Sequence, residues 1–167
     1  KFGTLGIEEE YFVVDSSGKP VNTTGQLIEG SDAPGFLKNN IDNELFKFII
    51  ECRTPTSTNL NDAKSVLLEM RENIQSHVQN HGFELAVSGL HPAALWQELE
   101  HVESPRYAAQ LDRIQYPQHR NTTAGLHVHF GVDDAEKAIW MANQCRPYLP
   151  LLLALSSNSP YWNGFDT

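Results

Sequence analysis

The chain has 167 residues, 40% of them hydrophobic and 20% charged, with a formal net charge of −9. That length supports one domain with a real core, and the composition is that of a soluble globular protein. So acidic a chain repels a phosphate backbone, which excludes nucleic acid as an expected partner, while cations suit it. The longest apolar run, YLPLLLALSS, is too short for a bilayer and is interrupted by Pro150, so no membrane association is expected. No signal peptide is expected either, since Lys1 opens directly into strand-like residues. Cys52 and Cys145 follow no metal or redox spacing and read as reduced thiols of a cytoplasmic protein.

Residues 4–14 alternate as a strand. Leu5, Ile7, Glu9, Tyr11 and Val13 point one way; Thr4, Gly6, Glu8, Glu10 and Phe12 point the other. DSSGKPV is a turn, and the polar residues 21–41 read as hairpin and loop. ELFKFIIECRTP, residues 44–55, reads as a second strand ended by Pro55. Residues 58–82 carry the clearest helical stripe: Ala63, Val66, Leu67, Met70, Ile74 and Val78. Thr58 or Asn61 is the expected N-cap and Gly82 the expected end. FELAVSGLHP reads as a strand, and SPRYAAQLDRIQ as a helix with Ser104 at the cap and Pro105 in first position. TAGLHVHFGV is a strand, followed by a helix from Asp134 and an apolar helix, set by Pro147 and Pro150, to about Leu155. This irregular order favours an α+β fold with a mostly antiparallel sheet.

Three stretches carry chemistry. In GIEEE, Glu8 and Glu10 share a strand face roughly 6.5 to 7 Å apart, where each disfavours ionisation of the other and a hard divalent cation removes the repulsion. A solvated outer face explains the same spacing. Glu9 falls on the apolar face, at a sheet margin or paired with a cation. Glu51 ends a mostly apolar run and needs a partner, either a metal or the cations of Lys47 or Arg53 on its own face. Glu44 has the opposite parity and joins that site only if the chain bends before Leu45. In GLHVHFG, Leu126, Val128, Phe130 and Val132 form an apolar face expected to enter the core. Gly125, His127, His129 and Gly131 form the other, open to a close-approaching metal or phosphate or simply to water. On residues alone three readings stand: an ATP-dependent ligase, a zinc-dependent amide hydrolase using the His-x-His strand, and a non-catalytic metal-binding domain.

TLGIEEEYFVV, ELFKFIIECRTP, TTAGLHVHFGV and LLLALSSNSPYWNGFDT, in this order, resemble the bacterial carboxylate–amine ligase family related to glutamate–cysteine ligase, whose catalytic sheet is like that of glutamine synthetase. The resemblance implies a single domain over residues 1–167, the N-terminal part of a longer glutamine-synthetase-like catalytic domain with helices packed on one face of the sheet. That agrees with a chain that lacks an initial Met and stops in a loop-like segment. It implies ATP and Mg²⁺ or Mn²⁺ as cofactors and amino acids as small-molecule substrates. By motif position it makes Glu8, Glu10, Glu51 and His127 metal ligands and turns His129 toward nucleotide phosphate. Glu44, Arg53, Asn158 and Ser159 come to the substrate side. It leaves the amine and carboxylate unnamed beyond the family's pair, glutamate and cysteine, and a homodimer through an open sheet edge is compatible with it. Without the rest of the family pattern, this polypeptide is expected to bind cations weakly and not to turn over ATP.

Overall fold

A computed structural model describes residues 2–29, 33 and 35–167; Lys1, with the strand opening read there, and positions 30–32 and 34 of the expected loop lie outside the described residues. Its centre is β1 (Leu5–Val14), whose uninterrupted alternation lets it pair antiparallel on both sides. One neighbour is β3 (Ile49–Arg53), itself paired with β2 (Ile41–Asn43). Two short strands share the other edge: β4 (Glu84–Ala86) beside Phe12–Val14, and β5 (Leu126–Phe130) beside Leu5–Glu9. Every pair in this five-stranded sheet is antiparallel, so the α+β reading holds.

The back face is covered by three helices. Between β1 and β2 lie α1 (Thr24–Glu29) and α2 (Gly35–Lys38), which replace the hairpin and loop expected over 21–41. Leu27 and Leu37 are their buried anchors, each too isolated among polar residues to announce a helix. The third is α3 (Leu60–Asn80), whose Ala63, Met70, Ile74 and Val78 are buried as the stripe required. Its N-cap is Asn59, whose side chain accepts from the Asp62 amide, rather than Thr58 or Asn61. Gly82 follows at φ +82, a left-handed position that suits glycine. His77 Nε2 lies 2.8 Å from the Leu27 carbonyl oxygen, which ties α3 to α1. Met70 is fully buried in one cluster with Ile74, Val13 and Ile50. Met70→Ala should therefore cost about 3 kcal/mol in a urea melt.

The expected strand over 44–55 divides. Residues 44–48 form the β2–β3 connection and only Ile49–Arg53 is strand, because Phe46 and Phe48 are drawn into a second core in front of the sheet. That core gathers Phe12, Val14 and Ile49 with Tyr107 of α4 (Pro105–Ile114). Phe12 and Phe48 stack at 5.2 Å between centroids. Ser104 stands at the α4 N-cap and Pro105 in first position as read, although the Ser104 side chain makes no capping bond. After α4 comes the single turn α5 (Tyr116–His119).

The front core ends at Phe12 and Val14, and the lower half of the front face is left to polar residues. The apolar face of β5 does not enter the core as expected: Leu126 is 62% exposed and Val128 65%. Their cross-strand partners, Glu9 and Ile7, lie on the back face, but α3 sits over β1 and β4, inboard of this edge. Beyond β5 the chain forms α6 (Ala135–Cys145), α7 (Leu149–Ser156) and the hairpin β6 (Tyr161–Trp162) and β7 (Phe165–Asp166). No residue of α6 or α7 is buried. No helix among the described residues is long and apolar enough to cross a membrane.

Candidate metal and substrate site

Antiparallel pairing converts the strand motifs into one surface. Residues directly opposite share a face, with Cβ atoms about 4.5–5.5 Å apart. Glu10 stands opposite Glu51, Glu8 opposite both Arg53 and His127, and Gly6 opposite His129. The residues that the resemblance makes metal ligands, Glu8, Glu10, Glu51 and His127, thus converge on the front face, beneath the aromatic core. The bend that Glu44 required is present: β2 ends at Asn43, and the connection returns Glu44 to the same face. Glu10, Glu44 and Glu51 each offer a carboxylate oxygen within 4.8 Å of the others.

Burial sets the electrostatics here. It raises the pKa of Glu10, and Glu51 and Glu8 add to the shift, while the Gly125 amide and His127 oppose it. Burial, then Glu10, raises Glu44. Burial pushes Glu51 up to about 7, with Glu44 and Glu8 adding and Arg53 opposing. Three carboxylates that resist ionising together are an all-oxygen donor set, and a hard dication is the partner that relieves them. The residues present therefore fit Mg²⁺ or Mn²⁺ better than zinc, which takes nitrogen and sulfur donors as well.

Around this trio the remaining groups are ordered. Glu8 Oε2 lies 3.3 Å from His127 Nδ1 and 3.2 Å from His129 Nε2, joining both imidazoles to the cluster. Arg53 Nη1 pairs with Glu51 at 3.2 Å and its Nη2 with Asp42 at 3.2 Å. Lys47, the other cation considered for Glu51, pairs instead with Glu100. The Gly125 amide donates to Glu10 at 2.8 Å, and a Cβ on Gly125 would stand 3.1 Å from Glu10 Oε1 and 3.1 Å from His127 Cε1. A Cβ there would require Glu10 and His127 to give by a few tenths of an ångström, so glycine lets both side chains close on the backbone. Asn158 and Ser159 do not line the acidic cavity, but Asn158 lines an adjoining cleft that includes Glu10. Asn158 Oδ1 accepts from the Gly89 amide at 2.9 Å, Ser159 Oγ donates to the same oxygen at 3.2 Å, and Asn158 lines a cleft with Arg71 and Gly125 at the gap between β4 and β5.

The cavity beside the trio, lined by Glu10, Glu44 and His127, measures about 300 Å³. Arg106, Tyr107 and Gln110 of α4 and Gln118, Asn121 and Thr123 line it as well, and none of them was marked by the sequence reading. Amphipathic spacing identified α4 as a helix, but no local signal tells which of its polar residues faces an acidic cavity.

A model of the family described as Glutamate-cysteine ligase family 2 (GCS2) matches residues 4–167. The chain belongs to this family. It is 61% identical over 165 residues to a glutamate–cysteine ligase of Natronomonas pharaonis, covering 99% of this chain and 46% of that protein. To the Haloferax volcanii glutamate–cysteine ligase it is 55% identical over 167 residues, covering 100% of this chain and 47% of that one. The chain spans about half the length of the curated relatives it matches. Among solved structures it is similar to a bifunctional glutathione synthetase from Pasteurella multocida, with a TM-score of 0.73 at 17% identity over 96% of this chain and 24% of that one. A Francisella tularensis glutamate–cysteine ligase in complex with AMP gives 0.60 at 14% identity, over 88% of this chain and 30% of that one. Those likenesses show the shared fold, and three of the four motifs that pointed to a ligase family supply strands of the acidic face, while the fourth forms α7 and the separate β6–β7 hairpin.

Proposed function

We propose that the protein to which this chain contributes its acidic sheet is an ATP-dependent ligase that joins the γ-carboxylate of glutamate to the amine of cysteine. The observation carrying this reading is the convergence of Glu10, Glu44 and Glu51, with Glu8 and His127 beside them, in a family of glutamate–cysteine ligases. The carboxylate oxygen attacks the γ-phosphorus of ATP, the bond to the β-phosphate oxygen breaks, and ADP leaves. The amine then attacks the acyl phosphate carbon, loses a proton, and phosphate departs with the C–O bonding pair. No covalent enzyme intermediate is required, so the protein's task is charge and position.

Glu8, Glu10, Glu51 and His127 would hold the Mg²⁺ or Mn²⁺, with Glu44 as a further ligand from the substrate side. Bound there, the cation offsets negative charge on the transferring phosphoryl group. His129, beyond Glu8 on β5, faces nucleotide phosphate in this reading. Arg53 orients Glu51 and limits the net charge of the cavity. Asn158 and Ser159 fix the loop bordering the substrate side. In this reading the ammonium proton passes to a nearby carboxylate or histidine that the cation leaves free. Two free cysteines, one buried and one exposed, suit a reducing cytoplasm.

The test is ADP release from the protein at its relatives' full length, with glutamate, cysteine and Mg²⁺ or Mn²⁺. The expected result is release that needs both amino acids, while the 167-residue chain alone gives none above blank. Stoichiometric zinc after purification with no nucleotide turnover would replace this reading with amide hydrolysis.

A further inference from the structure

Beside the acidic cavity lies a second, mostly apolar hollow of about 490 Å³. The two share Gln118, Asn121 and Thr123 as a common wall. Leu90, Tyr116, Pro117 and Trp162 supply its apolar lining, and Arg120 is its one charged residue. The guanidinium carbon of Arg120 lies 5.0 Å from the Tyr116 ring centroid and 4.5 Å from that of Trp162. Among the described residues no carboxylate pairs with it, in a chain where acidic residues outnumber Lys and Arg by 21 to 12. Contacts with rings hold the flat guanidinium in place and leave its N–H edge as the one charged group of a largely apolar hollow. Such an edge is matched by a carboxylate, which accepts two parallel N–H bonds.

We propose that this hollow is a subsite for an amino acid, with Arg120 receiving its α-carboxylate. The side chain lies against Trp162, Tyr116 and Leu90. Gln118, Asn121 and Thr123, the wall shared with the acidic cavity, are the polar side that the ammonium group faces. Because an α-amino acid carries both charges on one carbon, seating the carboxylate on Arg120 turns the ammonium group toward the shared wall and the negative potential of the acidic cavity behind it. Naming this amino acid as the amine donor rests on the ligase reading; the carboxylate subsite itself does not.

The experiment follows tryptophan fluorescence of the full-length protein, with Trp162→Phe defining the signal against Trp96 and Trp140. Cysteine should produce a saturable change that Trp162→Phe abolishes. Cysteamine, which lacks only the carboxylate, should bind at least about tenfold more weakly, the effect of losing one charge-assisted pair. Arg120→Gln should weaken cysteine by a similar factor, Arg120→Lys should recover part of it, and both should keep the parent melting temperature within about 2 °C. Equal binding of cysteine and cysteamine, no saturable signal, or an Arg120→Gln variant with parental affinity would overturn the subsite. Failure of ADP release with this binding intact would sink the ligase reading and leave the subsite standing.

Discussion

Glu51→Gln should reduce ADP release of the full-length protein about 10³-fold, because it removes one oxygen ligand from the acidic trio and with it charge stabilisation worth several kcal/mol in phosphoryl transfer. The same substitution should change stability in the other direction. With metal chelated, the parent carries Glu51 at a pKa of about 7 in the folded state against an ordinary value of 4.5. Between those two values the folded form holds a proton that the unfolded form has released. Chelated protein should therefore lose stability as pH rises through that window and become level above it, by about 2 kcal/mol once partial solvation is allowed for. Glu10 and Glu44 are raised by the same cause and add slope of the same sign. Mn²⁺ should reverse the trend, since ionised carboxylates bind it and stabilisation then grows with pH. Glu51→Gln should melt higher than the parent at pH 8 under chelation and gain less from Mn²⁺. Thermal melts at pH 5 and 8, with and without Mn²⁺, read all of this. A chelated parent that gains stability toward pH 8, or a Mn²⁺ response unchanged in the variant, would show that the trio holds no cation.

Arg71→Ala, in α3, should be strongly destabilising through its partner Glu9 on the back face of β1. Glu9 is 8% exposed and points into the packing beneath α3. Arg71 Nε donates to Glu9 Oε2 at 2.8 Å, Arg71 Nη2 pairs with Glu9 Oε1, and the Tyr11 hydroxyl donates to the same carboxylate. Burial works to raise the pKa of Glu9, but the bonds from Arg71 and Tyr11 outweigh it and the net shift is downward. Removing Arg71 leaves a buried carboxylate with one neutral donor. The Arg71 side chain is itself about half exposed, so we expect a loss of about 2–3 kcal/mol, or roughly 4–12 °C in melting temperature. Adding Glu9→Gln to Arg71→Ala should recover more than half of that loss, because the orphaned charge goes with its partner. Its pH signature is opposite to that of the front trio: the pair's contribution is present above the unfolded carboxylate pKa and fades as pH falls through the depressed folded one. A loss below about 0.5 kcal/mol would show that the pair is merely solvated.

These two results concern opposite faces of one sheet: Glu51 stands opposite Glu10 in front, while Glu9, the residue before Glu10 on β1, is turned by the pleat to the back. That turn of the pleat was legible in GIEEE. A period of two is local, so Glu8 and Glu10 had to share a side and Glu9 had to leave it. The stripe of α3 was legible for the same reason, as were Pro105 and Asp134 at their helix starts, the latter accepting from the Lys137 amide. The exposure of β5 was not. Alternation says that Leu126 and Val128 share a face, not that another element covers it, and α3 lies inboard of that edge.

By itself, then, the sequence determined which side chains face together along each strand and helix, and its four ordered motifs identified the ligase family. Only tertiary structure decided the register that sets Glu10 against Glu51 and Glu8 against His127, the bend that returns Glu44 to them, and Arg71, 62 residues away, as the partner of Glu9. The reason is physical. Alternation follows from the geometry of successive residues, whereas register, bends and long-range ion pairs are chosen by packing the whole chain, and no short window of sequence contains that information.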